Sequence, residues 1–214
     1  MPDNRLLLAT NNAHKVRELR RLLGHLPLEL LTPADLGLSL DVVEDGATYE
    51  ANALAKARAF ADASGLPALA DDSGIEVDAL GGRPGVQSAR YGGPGLSDQE
   101  RVALLLRELA HVPDGERTAR YRAVLAIVAS AHGAAVPTEH TAEGWCEGTV
   151  VRAPDGTNGF GYDPVFFVAA LGVTMARLTD EEKDAISHRG NATRAIAPVL
   201  AAWPLAPDAT RARS

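Results

Sequence analysis

Two adjacent carboxylates, Asp71 and Asp72, follow the apolar run 67-PALA-70 and come directly before Ser73. The composition of residues 67–72 predicts a strand of the fully buried type. Successive side chains of a strand point to opposite faces, so the two aspartates need not share one environment. The pair is therefore a candidate for chemistry, because two negative charges at a buried strand are costly without a use.

Asp72 is predicted to end this strand, and open α/β sheets bind ligands beyond the carboxyl ends of their strands. A carboxylate there suits Mg²⁺, which takes one or two carboxylates together with substrate phosphates. It also suits the orientation or deprotonation of a water molecule. The alternative is that Asp71 and Asp72 both cap an Asp-Ser-Gly turn.

A second polar segment, 10-TNNAHK-15, lies at the junction of a strand predicted at 5–10 and a loop and helix predicted at 11–24. A helix N-terminus carries free N–H groups and a partial positive charge, so it can bind an anion. Cations are unfavourable at that end unless an anion is present, which makes His14 and Lys15 informative. The candidate residues are Thr10, Asn11, Asn12, Ala13, His14 and Lys15. The alternative is an ordinary Asn-rich capping turn.

Glu44 and Asp45 precede an Ala-rich helix predicted at residues 48–65, which Gly65 is expected to end. The two carboxylates either complement the dipole of that helix or provide a ligand for a hard cation. The sequence of this segment alone favours the dipole.

Two glycines flank Phe160 in the segment 159-GFGYDP-164, and they permit the close approach of a flat ligand. Phe160 or Tyr162 could stack on a base. Downstream, Lys183, His188 and Arg189 bring cationic or donor groups that can reach phosphate oxygens or a base edge. The alternatives are a Gly-rich turn entering an aromatic strand and a polar helix junction.

These segments together indicate a nucleoside polyphosphate with Mg²⁺ as the ligand, because they combine basic donors, candidate metal carboxylates and a stacking turn. The chain has no P-loop motif GxxxxGK[ST] and no GxSxG nucleophile elbow. It contains only three lysines, Lys15, Lys56 and Lys183. Two of them fall in the candidate segments, whereas Lys56 is equally compatible with a structural role.

The helices and strands predicted to position these residues indicate an α/β class with a mixed sheet. A strand–helix–strand opening, with a second strand at 28–32, suggests parallel pairing. Ser97 and Glu100 predict a capping box before a helix at 98–110. Three strands follow, at 119–130, 135–143 and 145–153, and short turns suggest an antiparallel meander. The last predicted elements are helices at 179–185 and 190–203, with a kink or stop at Pro198.

The 214 residues predict one domain over residues 1–203 and a mobile tail over 204–214. A net charge of −7 argues against a nucleic-acid polymer as the main partner. Cys146 is the only cysteine, which excludes a disulfide within the chain and a thiolate metal cluster. No signal-peptide core and no apolar run of roughly 18 residues is present, so we expect a cytoplasmic protein without a membrane partner.

The chain resembles the inosine triphosphate pyrophosphatases, which remove deaminated purine nucleotides. The matching motifs occur in family order along nearly the whole chain: 10-TNNAHK-15, 43-VEDG-46 with 52-NALAKA-57, 70-ADDSG-74, 81-GGRPGVQSARY-91, 159-GFGYDPVF-166 and 179-TDEEKDAISHRGNA-192. The resemblance implies hydrolysis of ITP, dITP and XTP to the monophosphate and pyrophosphate, with Mg²⁺, by a homodimer. It also implies an elongated mixed sheet flanked by helices, with two lobes and a substrate cleft between them.

The resemblance also implies roles for individual residues. Thr10 to Lys15 would bind the triphosphate, Asp72 would accept a proton and bind metal, Ser73 would contact substrate, and Glu44 would be the second metal position. The residues implied to contact the nucleoside are Phe160, Gly161, Tyr162, Asp163, Lys183, His188 and Arg189. The chain departs from the family pattern at Asn11, where many members have Gly, and at Met175, where an aromatic residue is common.

Two other functions stay open at this point. One is a pyrophosphatase that acts on pyrimidine or modified nucleotides, and a substrate panel distinguishes it. The other is a non-catalytic nucleotide sensor, which would bind ITP with Mg²⁺ and release no product. The intact set of Asp71, Asp72 and Ser73 argues against a sensor.

Overall fold

The computed structural model describes residues 4–129 and 138–202. Its strands are β1 (Arg5–Leu8), β2 (Glu29–Leu31), β3 (Ala68–Val77), β4 (Thr118–Ala129), β5 (Thr138–Val150), β6 (Phe166–Val168) and β7 (Val173–Thr174). Its α-helices are α1 (Ala13–Leu23), α2 (Tyr49–Ser64), α3 (Asp98–Glu108), α4 (Asp180–Ile186) and α5 (His188–Ala202). The strands form one sheet in the order β2-β1-β3-β4-β5-β6-β7, so the predicted α/β class with a mixed sheet is confirmed.

The N-terminal part of the sheet is parallel, as the strand–helix–strand opening predicts. β1 pairs in parallel with both β2 and β3. Its three leucines, at positions 6–8, are fully buried, which fits a strand covered on both faces. Gly65 ends α2 in a left-handed conformation, as expected.

The C-terminal part of the sheet is antiparallel where β5 pairs with β6 and β6 pairs with β7. The prediction of separate strands at 135–143 and 145–153 is wrong, because one strand, β5, runs through Gly144 to Val150. Residues 135–137 lie outside the described residues. A single glycine weakens a strand without ending it when the ladder continues on both sides.

β3 corrects the prediction that matters most for the site. The strand continues to Val77, so Asp71 and Asp72 lie inside it and no Asp-Ser-Gly turn follows them. Ile75 and Val77 are fully buried beyond Gly74, and their burial favours continuation of the strand. The two carboxylates are tolerated there because each has a cationic partner.

The chain divides into two compact units. Of the described residues, the first comprises 4–72, 124–129, 138–142 and 192–202, and its core includes Leu7, Leu19 and Phe60. The second comprises residues 73–123 and 143–191, and its core includes Leu105 and Phe166.

The helices largely follow the predicted spans, and the capping box of Ser97 and Glu100 at the start of α3 is confirmed. Pro198 lies inside α5, which continues to Ala202, so of the predicted kink or stop the stop is wrong. The predicted tail at 204–214 lies outside the described residues. Within the described part of the chain, no helix combines the length and the apolar character needed to span a bilayer.

Candidate active site

The segment before α1 is organised by hydrogen bonds of its own polar side chains. The side chain of Asn12 caps α1 by accepting hydrogen bonds from the backbone N–H groups of His14 and Lys15, at 2.9 and 3.3 Å. The hydroxyl of Thr10 accepts one from the N–H of Asn12 at 3.1 Å, and the amide of Asn11 donates to the carbonyl of Leu40 at 3.3 Å. No acidic residue stands in the first turn of α1. The N-terminus of this helix therefore keeps its positive character, as an anion site requires.

Lys15 connects this segment to β3. Its Nζ lies 2.6 Å from Oδ1 of Asp71 and donates to the backbone carbonyl of the same residue at 3.2 Å. The Asp71 side chain is completely buried. Asp71 therefore holds Lys15 in place, and the alternative that it caps an Asp-Ser-Gly turn is wrong because β3 continues beyond it.

Asp72 has a different environment from that of Asp71. Its Oδ2 accepts a hydrogen bond from the side-chain amide of Asn52 at 3.1 Å, and its Oδ1 lies 3.3 Å from Nζ of Lys56. Lys56 also lies 3.2 Å from Oε1 of Glu44 and donates to the carbonyl of Asp71 at 2.8 Å. One buried ammonium thus brings together the two carboxylates that the resemblance assigns to metal binding.

Asn52 and Lys56 received no role in the site from the sequence, although both lie in the motif 52-NALAKA-57. They stand four positions apart on α2, so both reach the same strand from one helical face. The side-chain oxygen of Asn52 also accepts the N–H of Gly46 at 2.8 Å. A Cβ at position 46 would lie 2.5 Å from that oxygen, so the turn after Glu44 requires glycine there. The i, i+4 spacing of two polar residues in an Ala-rich helix was the available signal.

The pKa of Asp72 is raised by burial, and the charges of Lys56 and Lys15 and the hydrogen bond from Asn52 oppose this rise. Glu44 adds to the rise, because a second carboxylate nearby disfavours the charged form. A carboxylate with a raised pKa is a better proton acceptor than an ordinary aspartate. Asp72 is thus suited both to accept a proton and to bind a cation.

The second unit contains a separate polar cluster around Phe160. The carboxylate Oδ2 of Asp163 lies 2.6 Å from Nζ of Lys183 and accepts the N–H of Phe160 at 2.9 Å. Asp163 and Lys183 are both buried. Nζ of Lys183 and Cζ of Arg189 lie 5.1 and 5.8 Å from the centre of the Phe160 ring. The half-buried ring therefore has two cationic neighbours, which is favourable for its π-system.

Arg189 and His188 occupy defined positions at the start of α5. Arg189 is buried and donates to the hydroxyl of Ser73 at 2.8 Å. The His188 ring stacks on Tyr121, with ring centres 4.6 Å apart and an angle of 13° between the planes. Both predicted contact residues are thus held by side chains of the same unit.

Tyr162 differs from Phe160 in its exposure. Its hydroxyl donates to the carbonyl of Ser88 at 3.0 Å, and its side chain is buried. Burial raises the pKa of the Tyr162 hydroxyl, so it stays protonated. Of the two aromatic residues that could stack on a base, Phe160 is the more accessible.

The structure thus brings the predicted residues together in two groups, each described within its own unit. Lys15, Glu44 and Asp72 share one group, with Lys56 at its centre. The other group contains Ser73, Phe160, Asp163, Lys183 and Arg189. Asp45 is exposed and joins neither.

Known proteins match this chain over a range that includes both groups of residues. A family model described as the Ham1 family matches residues 6–199. The chain is 48% identical over 196 residues to the dITP/XTP pyrophosphatase of Shigella flexneri, covering 92% of this chain and 98% of that protein. It is 49% identical over 188 residues to the dITP/XTP pyrophosphatase of Geobacter sulfurreducens, with 88% and 92% covered. The structure of a HAM1 protein from Coxiella burnetii superimposes with a TM-score of 0.81 at 39% identity, covering 92% of this chain and 98% of that one.

Proposed function

Because the chain belongs to the Ham1 family, we propose that it hydrolyses non-standard purine nucleoside triphosphates to the monophosphate and pyrophosphate. The proposed substrates are dITP and XTP, on which the names of the relatives agree, and ITP, which the family resemblance implies. Such an activity prevents the incorporation of deaminated purines into DNA and RNA.

One observation carries this proposal: Asp72 is a buried carboxylate that shares Lys56 with Glu44. Burying charges that serve only the fold is rarely worthwhile, because desolvation consumes most of the attraction between them. The buried charges have a function if the two carboxylates bind a cation and the ammonium group binds phosphate oxygens when the substrate is present. The neighbouring Lys15 adds a positive charge for the same ligand.

In the proposed reaction, Asp72 accepts a proton from a water molecule whose oxygen attacks the α-phosphorus. The new bond joins this oxygen to the α-phosphorus, and the bond from the α-phosphorus to the bridging oxygen breaks. Pyrophosphate leaves with that electron pair. Lys15 and the N-terminus of α1 offset the charge on the leaving phosphates.

The residues at this site fit Mg²⁺. Glu44 and Asp72 would hold the ion, because carboxylate oxygens are the hard ligands that Mg²⁺ prefers. Among residues 4–129 and 138–202, no group of three or more His, Cys, Asp or Glu side chains could hold a metal. A site of two carboxylates agrees with the usual Mg²⁺ pattern, in which substrate phosphates complete the coordination. When bound, the ion supplies electrostatic stabilisation of the phosphoryl oxygens.

The second cluster is proposed to bind the nucleoside. Phe160 would stack on the base, while Lys183 and Arg189 offer donors to a 6-oxo group. Adenine has an amino group at that position, so ATP is disfavoured. The remaining proposed contacts are Ser73, Gly161, Tyr162, Asp163 and His188.

Pyrophosphate release from dITP, ITP, XTP and the four standard triphosphates tests the proposal. We expect the three non-standard purines to be hydrolysed fastest in the presence of Mg²⁺. Preference for a pyrimidine or modified nucleotide would favour a pyrophosphatase of different specificity. Binding of ITP without product would indicate a nucleotide sensor.

Asp72→Asn tests the proposed proton acceptor. The substitution preserves shape, so we expect the fold to survive while turnover of dITP falls at least ~100-fold. Circular dichroism provides the control for folding. Pyrophosphate release at the wild-type rate would rule out Asp72 as the proton acceptor.

The homodimer that the family resemblance implies and the expected cytoplasmic location are further proposals. Sedimentation equilibrium of the purified protein tests the dimer. Fractionation of the source cells tests the location.

A further inference from the structure

The segment of residues 159–163, here called the Phe160 turn, is held by a second carboxylate besides Asp163. The backbone N–H of Gly161 donates to Oδ2 of Asp98 at 2.9 Å. Asp98 stands 63 positions earlier in the chain, in the first turn of α3. The N–H groups of Phe160 and Gly161 therefore each donate to a carboxylate, and the two carboxylates come from different parts of the second unit.

Asp98 belongs to a firmly anchored helix end. Ser97 and Glu100 form the capping box of α3, and Val102 and Leu105 bury the helix in the core of the second unit. Oδ1 of Asp98 lies 3.7 Å from Arg101, whereas Oδ2 accepts the Gly161 hydrogen bond. The Asp98 carboxylate thus fixes the Phe160 turn relative to α3.

This contact fixes the peptide plane on which the Phe160 ring depends. Gly161 has a φ of 63°, in the left-handed region that glycine adopts without strain. A glycine in this region has alternative conformations available, so an external hydrogen bond is needed to select one. The selected conformation presents Phe160 to Lys183 and Arg189.

We propose that Asp98 is a positioning residue, which sets the Phe160 turn for nucleoside binding and acts through the Gly161 N–H. The inference rests on the proposed function, because that function assigns Phe160 to the base. Asp98 has a side chain that is 54% exposed, so its removal leaves no cavity in the core, but it does remove the ion pair with Arg101. Asp98→Asn removes that ion pair as well, so a loss of function seen only in Asp98→Ala can be attributed to the turn.

The test compares Asp98→Ala, Asp98→Asn and the neighbouring control Gln99→Ala. Asp98→Ala should raise the KM for dITP about fivefold, the value of one modest hydrogen bond, with kcat within about twofold of wild type. Asp98→Asn should restore the KM, because its amide oxygen can accept the same hydrogen bond. Gln99→Ala, an exposed change in the same helical turn, should behave as wild type.

Two further measurements separate positioning from a general structural effect. Amide exchange at Gly161, followed by NMR, should accelerate in Asp98→Ala and not in Asp98→Asn. Competitive inhibition by inorganic tripolyphosphate, which lacks a base, should be equal in all variants.

An unchanged KM in Asp98→Ala, or equal defects in the Ala and Asn variants, would overturn the role of Asp98. Absence of dITP turnover by the wild type would instead overturn the proposed function. In that case calorimetric binding of dIMP decides the inference: affinity about fivefold weaker in Asp98→Ala supports it, and equal affinity refutes it.

Discussion

Lys56 illustrates what a single residue contributes to this protein. A buried ammonium is expensive unless it is paired, and this one contacts Asp72, Glu44 and the carbonyl of Asp71. Its ammonium contacts three oxygens from a single atom, whereas the guanidinium of arginine spreads its donors over a planar fork. This accounts for a lysine at this position in a chain that otherwise uses arginine almost throughout.

Replacing Lys56 by Met should impair both activity and stability. We expect kcat/KM for dITP to fall by about 100-fold, because the carboxylates lose the charge that organises them. The free energy of unfolding should fall by about 3 kcal/mol, the usual result of removing one partner of a buried pair. Pyrophosphate release and urea denaturation measure the two effects.

Arg58→Met is the matched control on the same helix. Arg58 pairs with Glu139, and its side chain is 51% exposed, so its loss should change stability by less than about 1 kcal/mol. Its activity should remain at the wild-type level. A Lys56→Met variant as active as this control would exclude Lys56 from the site.

Lys15→Met should move the acidic limb of the pH profile of kcat/KM to higher pH. As the proposed proton acceptor, Asp72 must be a carboxylate to act, so activity should fall as the pH drops through its pKa. Lys15 opposes the rise that burial causes in the pKa of Asp72, and its removal therefore raises this pKa further. Rates measured across the acidic range provide the test.

Arg20→Met on the same helix provides the control for this profile, because the Arg20 side chain is half exposed and pairs with Asp35. Its acidic limb should coincide with that of the wild type. An unshifted limb in Lys15→Met would show that Lys15 does not influence the proposed proton acceptor.

At the scale of elements, Arg117 connects the end of α3 to β4 and β5. Its guanidinium is buried and donates to the carbonyls of Leu109, Val150 and Val151 at 2.8, 2.8 and 3.1 Å. Burial lowers the pKa of Arg117, which still remains charged in the physiological range. No acidic residue is needed, because three carbonyl dipoles solvate the charge.

Arg117→Met should lower the free energy of unfolding by about 3 kcal/mol, because it leaves three inward-facing carbonyls without their donor. Chemical denaturation measures this loss. Arg152→Met removes an exposed arginine that pairs with Asp114 and should have an effect below about 1 kcal/mol. Equal stability of the two variants would contradict the structural role of Arg117.

β3 shows why local sequence could not predict where each element ends. The residues 71-DDSG-74 have the composition of a turn, yet the strand continues to Val77. Lys15 and Lys56 supply the charges that make the aspartates acceptable there, and both come from distant segments. By contrast, the capping box of α3 was predictable because its hydrogen bonds join residues only three positions apart.

At the scale of the whole molecule, Cys146 offers a single probe of unfolding. Burial raises the pKa of this thiol to about 11, and the neighbouring Glu147 adds to the rise. The thiolate is the reactive form, so the folded protein should react with a disulfide reagent at pH 8 at least ~100-fold more slowly than the unfolded protein. Absorbance after mixing, with and without urea, measures the ratio.

The raised pKa of Cys146 also determines how the free energy of unfolding changes with pH. The folded state retains the thiol proton above the ordinary thiol pKa, so the free energy of unfolding should decrease as the pH rises from about 8.5. The decrease should end near pH 11, where the folded thiol also ionises. Rapid labelling of the folded protein would contradict the burial of Cys146.

The sequence by itself determined the family resemblance, the α/β class and the candidate residues, because each depends on residue types and short spacings along the chain. The tertiary structure decided how those residues are used. It paired Asp71 with Lys15 and Asp72 with Lys56 and Asn52, and it placed Asp98 against Gly161. These assignments follow from contacts between side chains of different elements, where burial and charge decide the partner and local sequence does not identify it.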